Sequence, residues 1–252
     1  MAESVLPGAA EARHTAVERY RELSGRAAPP PPPPLEEAVV LEKSSLPWPC
    51  ATGDGRQVGA FLESLGFALG IFGPRRGHRI LEVGATTGHL SLLMAGLGCA
   101  VTLQAGDPND AEALRRRAAR AGVPVTILRG APGDARKRFD FVLSQGSLRR
   151  RFDHCDLLVL ARDTLLAPGG RLVLVGEPLA EDLPLPWTFD PSPDAMEAVR
   201  AHGNVELAFR PSYLLAVLDE LGFHATMSVC SASAHGNTII AGRRTAAHGA
   251  GG

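Results

Sequence analysis

The chain has 252 residues, a formal net charge of −1 and 45% hydrophobic residues, enough for one full-sized core with a short appendage. Acidic and basic residues are interspersed, which argues against a nucleic-acid-binding face, and no apolar run approaches the roughly 20 residues that cross a bilayer. No signal-peptide core opens the sequence, and Cys50, Cys99, Cys155 and Cys230 are far apart with no CxxC pair, so composition predicts buried thiols in a cytoplasmic protein without membrane contact.

In chain order, residues 1–40 stand apart as an N-terminal extension. Ala9 to Leu23 reads as a short helix with Val17, Tyr20 and Leu23 on one side, and Pro29 to Pro34 as an extended polyproline spacer. Residues 41–244 read as the main domain, and 245–252 as a flexible glycine-rich tail. Within the domain, strands and helices alternate. A helix from about Arg56 to Phe72 carries Val58, Phe61, Leu62, Leu65 and Leu69 at three- and four-residue spacing. Arg79–Val83 is a strand, followed by a glycine-bracketed turn and a helix with Leu90, Leu93, Met94 and Leu97. Ala100–Gln104, Val125–Leu128 and Phe139–Ser144 are further strands, with a Pro108-initiated helix between the first two. A helix from Asp153 to Leu166 and a Pro168-Gly169-Gly170 turn lead into the apolar strand Arg171–Val175. Pro178 to Pro211 is poor in regular signals and reads as a lid or substrate loop. A helix from Ser212 to Leu221 precedes His224–Cys230 and Asn237–Ala241, spaced to pair as an antiparallel hairpin. The sum is an α/β fold with a doubly wound, seven-stranded sheet and one antiparallel strand at its edge.

The turn after the first strand carries the chemistry. Gly84 and Gly88 let the backbone approach a small ligand, and Glu82 ends the apolar strand with a carboxylate. Thr86 or Thr87 adds a hydroxyl, and the N–H groups opening the following helix favour a ligand carboxylate. A ligand with both ammonium and carboxylate suits this loop better than a pyrophosphate.

Three landmarks, in order, resemble the class I S-adenosylmethionine-dependent methyltransferases: Leu81-Glu82-Val83-Gly84, Phe139-Asp140-Phe141-Val142-Leu143-Ser144-Gln145-Gly146, and Leu165-Leu166-Ala167-Pro168-Gly169-Gly170-Arg171-Leu172-Val173. Glu177-Pro178 and Gly203-Asn204-Val205-Glu206-Leu207-Ala208-Phe209 resemble bacterial type-11-like members. The resemblance implies S-adenosylmethionine as cofactor, held by Glu82, Gly84, Thr86, Gly88, His89 and Gln145, and a small-molecule substrate methylated at oxygen. The base needed for such an acceptor would come from Glu177 or His154, with His202 and Glu206 as further candidates. Three positions depart from the family. Thr86 replaces the middle glycine, and Ala105 replaces the acid that holds the ribose, leaving Asp107 two residues on. Gly130-Ala131 follows the third strand where an acid commonly meets the adenine, with Asp134 displaced. An active methyltransferase with Asp107 on the ribose, an inactive methyltransferase-like binding protein and a nucleotide-dependent oxidoreductase are the three readings left open.

Overall fold

The computed structural model describes residues 7–27, 54–231 and 236–243; Pro29–Pro34, Cys50 and the 245–252 tail lie outside them. Helix α1 (Ala9–Ser24) is followed by α2 (Gly55–Phe72), which Asp54 starts by accepting the Arg56 N–H at 2.9 Å. Strand β1 (Arg79–Ala85) leads to α3 (His89–Gly96), β2 (Ala100–Ala105) to α4 (Pro108–Ala121), and β3 (Thr126–Arg129) to β4 (Phe139–Gln145). Helix α5 (His154–Leu160) widens into a π turn over Ala161–Leu165 before β5 (Leu166–Val175). The pairing of β5 with β4 jumps from Leu166 to Arg171, so the Pro168-Gly169-Gly170 segment loops out of a strand that has already begun.

The sheet runs β3-β2-β1-β4-β5-β9-β8, with β8 (Phe223–Val229) and β9 (Asn237–Arg243) closing one edge. Strands β1 to β5 are parallel; β9 is antiparallel to both β5 and β8. The one reversed strand therefore enters at this edge as half of the expected hairpin, with β8 outermost. Side chains alternate between two cores, as the period of a strand requires. Leu81, Val83, Leu172 and Leu174 join the core that holds α1, α5 and α7 (Pro211–Glu220), whereas Ile80, Leu103, Leu143 and Val173 pack toward α2, α3 and α4. Cys99, Cys155 and Cys230 are buried and form no disulfide among the described residues. No described helix is long and apolar enough to cross a membrane.

The structure differs from the sequence reading between Pro178 and Pro211. This stretch contains β6 (Trp187–Phe189), α6 (Pro193–His202) and β7 (Leu207–Phe209), with β6 and β7 pairing as a separate antiparallel sheet. Each strand has three residues, too few for a periodicity to register, and α6 is announced only by its Ser192 cap, Pro193 and the closing Gly203. Helix α1 packs against β6 and α6, with Ala9, Ala12, Ala16 and Tyr20 almost fully buried. The Tyr20 ring stacks on Phe189 and meets Phe152 edge-on, and its hydroxyl donates to the Gly203 carbonyl at 2.9 Å.

Helix α1 is thus part of the core. Replacing Tyr20 with Phe should cost about 1–3 kcal/mol by leaving a buried carbonyl unpaired, and Tyr20→Ala about 3–5 kcal/mol. Urea denaturation of the two variants checks both values.

Candidate functional site

The Glu82–Gly88 turn sits at the C-terminal end of β1, between the ends of β2 and β4. Glu82 is 2% exposed, and its Oε2 has no hydrogen-bond partner among the described residues. Burial lifts its carboxyl to about 7, offset in part by the nearby Ser91 hydroxyl. Gly84 has φ 65°, and a Cβ there would lie 2.8 Å from Cβ of Ser147. Gly88, at φ 64°, opens α3, and a Cβ on it would meet the Leu114 side chain at 2.9 Å. Both glycines are therefore required by conformation and by space. Thr86 and Thr87 are half-buried, Arg117 of α4 donates to the Thr87 carbonyl at 3.1 Å, and the His89 ring meets Phe61 edge-on.

At the end of β2, Gln104 is a buried amide, 6% exposed. Its Oε1 accepts the Gly84 N–H at 2.8 Å, while Nε2 donates to the carbonyls of Ala105 and Gly130, each at 2.8 Å. One side chain thereby ties together the ends of β1, β2 and β3. Sequence reasoning missed it, although a buried amide in a strand is itself a signal. Asp107 caps α4, its Oδ1 accepting from Asn109 N at 2.6 Å and Asp110 N at 2.9 Å. Asp134 likewise caps its own turn by accepting from Ala131 N.

At the ends of β4 and β5, Gln145 has a buried Oε1 without a partner among the described residues. Glu177 has no exposed surface. Its Oε1 accepts from the Ser144 hydroxyl at 3.0 Å and Leu148 N at 3.3 Å, and its Oε2 from Arg149 N at 3.2 Å. The Ser144 proton being committed to Glu177, Ser147 donates to Ser144 across 2.7 Å. Burial raises the Glu177 carboxyl to about 7, against the pull of these donors and of the Arg149 charge. Arg149 forms an ion pair with Glu206 at 3.2 Å, joining the loop after β4 to β7. Glu177 is thus the organiser of the 147–150 loop, whose Ser147 rests on Gly84.

His154 lies elsewhere. It is fully buried, its Nε2 is 2.9 Å from the Tyr213 hydroxyl, and its ring meets Trp187, Phe209 and Tyr213 edge-on. Desolvation pulls its pKa down to about 4, so the ring is neutral at physiological pH. These contacts belong to the aromatic core between α5, α7 and the small sheet. The structure does not bring His154 to the turn. The side chain of His202 lies outside the described residues.

Two outcomes test this geometry. Gly84→Ala should destabilise the protein by about 1–3 kcal/mol, and adding Ser147→Gly should return the part due to the clash but not that due to the positive φ; thermal melts of the single and double variants measure both. For Glu177, the folded pKa of about 7 lies above its ordinary 4.5, so the folded state binds the extra proton between those values. That stabilising contribution is fully present below pH 4.5 and is lost as pH rises through 7. Wild type should therefore lose about 3 kcal/mol relative to Glu177→Gln across this window. Parallel stability–pH curves for the two proteins would contradict it.

No family model and no curated protein sequence matches the chain. Solved structures do. An S-adenosylmethionine-dependent methyltransferase from Aquifex aeolicus aligns over 81% of this chain and 96% of its own, with a TM-score of 0.55 at 12% identity. One from Methanosarcina mazei aligns over 67% and 93%, with a TM-score of 0.51 at 18% identity. YcgJ of Bacillus subtilis aligns over 73% and 99%, with a TM-score of 0.53 at 13% identity. At such identities the likeness is one of architecture, that of a seven-stranded, mostly parallel sheet with the reversed β9. The chain has the fold of the class I S-adenosylmethionine-dependent methyltransferases.

Proposed function

We propose that the chain binds S-adenosylmethionine at the Glu82–Gly88 turn and transfers its methyl group to a small-molecule acceptor. The observation that carries this reading is Glu82: a buried carboxylate at the end of a central strand with one oxygen left unpaired. An unpaired buried carboxylate oxygen is costly, and a ligand ammonium group would satisfy it. The N–H groups of the first turn of α3 have no helical acceptor and favour the ligand's carboxylate. Gln145, with its unpaired Oε1 at the end of the neighbouring strand, offers one more acceptor to the same ligand. When bound, the cofactor supplies an electrophilic sulfonium methyl group.

The small-molecule acceptor is supported by what surrounds the loop after β4. The β6–β7 sheet, α6 and α1 form an added layer there, secured by Phe209 N to Pro178 O, Ala180 N to Phe209 O and the Arg149–Glu206 ion pair. Such a wall beside the sheet's C-terminal edge suits a pocket for a small ligand. For an oxygen acceptor, a carboxylate at this edge would take the proton. Glu206, 7% exposed and ion-paired, suits that role better than Glu177, which is enclosed and holds three donors.

A second reading, a methyltransferase fold kept as a binding module, is favoured by Ala105 and by the capping duties of Asp107 and Asp134. One titration decides. S-adenosylhomocysteine at about 100 times its dissociation constant should add about 2.7 kcal/mol of stability, raising the melting temperature by roughly 5–10 °C in a domain of this size. Glu82→Gln should cut that rise by more than half. No shift at millimolar ligand would overturn the proposal, and a shift without methyl transfer to any small acceptor would favour the binding module.

A further inference from the structure

Several guanidinium groups in this chain hold a carboxylate through two nitrogens. Arg79 grips Asp140 with Nε and Nη2, and Arg151 and Arg162 grip Asp153 and Asp163 in the same way. Arg149 does not. Its side chain is 27% exposed, and its one ion pair among the described residues is Nε to Glu206 at 3.2 Å. That Nε is buried, and its N–H is not aligned for a hydrogen bond. Neither Nη1 nor Nη2 hydrogen-bonds to a described residue. A Cβ on Gly146, the residue after β4, would lie 3.8 Å from Arg149 Nε and 3.6 Å from the Gly176 carbonyl. The guanidinium therefore lies beside the tips of β4 and β5, on the sheet edge that carries the Glu82–Gly88 turn. A partly buried cation with open donors is left at this edge.

We propose that the methyl acceptor is a small carboxylic acid, its carboxylate held by the Nη1–Nη2 edge of Arg149. The proposal deepens the functional reading above and rests on it for the methyl transfer. A guanidinium edge presents two parallel N–H donors at the spacing of two carboxylate oxygens. Glu206 secures the Nε side and leaves the outer edge to the ligand. The balance of charge selects a monoanion. Arg149 already pairs with Glu206 and favours the ionised form of Glu177, so a dianionic phosphate would meet two carboxylates across one cation. A carboxylate anchored at Arg149 also keeps the rest of the molecule near Glu206, the group given the acceptor's proton above.

Saturation-transfer NMR titrations of benzoate, benzamide and phenyl phosphate, with excess S-adenosylhomocysteine and at fixed ionic strength, test the assignment on the full-length chain. Wild type should bind benzoate about tenfold more tightly than neutral benzamide, the worth of a charge-assisted hydrogen bond. It should also prefer benzoate to phenyl phosphate. Arg149→Gln should bind benzoate and benzamide equally. Arg149→Lys keeps a cation for Glu206 but loses the fork, and should retain only part of the preference. Arg150→Gln, at the exposed neighbouring position, should keep all of it. Equal binding of benzoate and benzamide by wild type, or an undiminished preference in Arg149→Gln, would overturn the assignment. A preference lost as fully in Arg150→Gln would reduce it to general surface charge and overturn it as well. Tighter, Arg149-dependent binding of phenyl phosphate would overturn the choice of a carboxylate. The melting-temperature rise with S-adenosylhomocysteine, recorded on the same samples, separates the two readings: if it persists while the benzoate preference fails, only the acceptor assignment falls.

Discussion

The carboxylate of Glu177 is the interaction on which the site's geometry depends. It is taken wholly out of water, and three donors on two sides partly offset that cost. Two of the donors are consecutive backbone N–H groups, so the side chain dictates the path of the loop after β4 residue by residue. Through Ser144 the constraint reaches Ser147, and through Ser147 it reaches the bare face of Gly84. The backbone carbonyl of Glu177 also accepts the Asn237 side-chain amide at 2.7 Å, which joins the start of β9 to the same point. Four strand ends are thereby fixed relative to one another by a single residue and its immediate partners. A role in shaping the site explains why Glu177 is enclosed, as a proton-transferring group facing an acceptor would not be.

Gln104 is the counterpart on the other half of the sheet. Where Glu177 joins β5 to β4, β1 and β9, the Gln104 amide joins β2 to β1 and β3. The two side chains meet functionally at Gly84, which is held by a hydrogen bond on its N–H and by packing on its α-carbon. Satisfied buried polar groups of this kind specify one arrangement of a backbone. A turn gripped from both flanks is already shaped for a ligand, with little ordering left to accomplish on binding.

The sheet was legible because its strands are apolar runs separated by amphipathic helices with clear caps. Asp54, Asp107-Pro108 and the closing glycines mark those boundaries in the sequence as they do in the structure. The turn was legible for the same reason, since two glycines and a carboxylate after a strand carry local information. What could not be read was the use of polar side chains across distance. Nothing near Glu177 in the sequence indicates that its partners are Ser144, Leu148 and Arg149, and nothing near His154 indicates a sheath of Trp187, Phe209 and Tyr213. Conversely, Asp107 looked free to serve a ligand because a capping carboxylate and a binding carboxylate are the same residue type. The added layer between Pro178 and Pro211 was hidden by brevity, its strands being shorter than the pattern that identifies a strand.

Helix α1 bears on the order in which the molecule assembles. Its buried face is completed by Phe189 and by the Gly203 carbonyl, 183 residues from Tyr20 in the chain. During synthesis the helix emerges before β6 and α6, so the surface that receives it does not exist until they have been made. Loop closure over so long a separation is slow relative to the pairing of neighbouring strands. Helix α1 is therefore among the last of these elements to dock, and until it docks the apolar stripe of Ala9, Ala12, Ala16 and Tyr20 has no native partner.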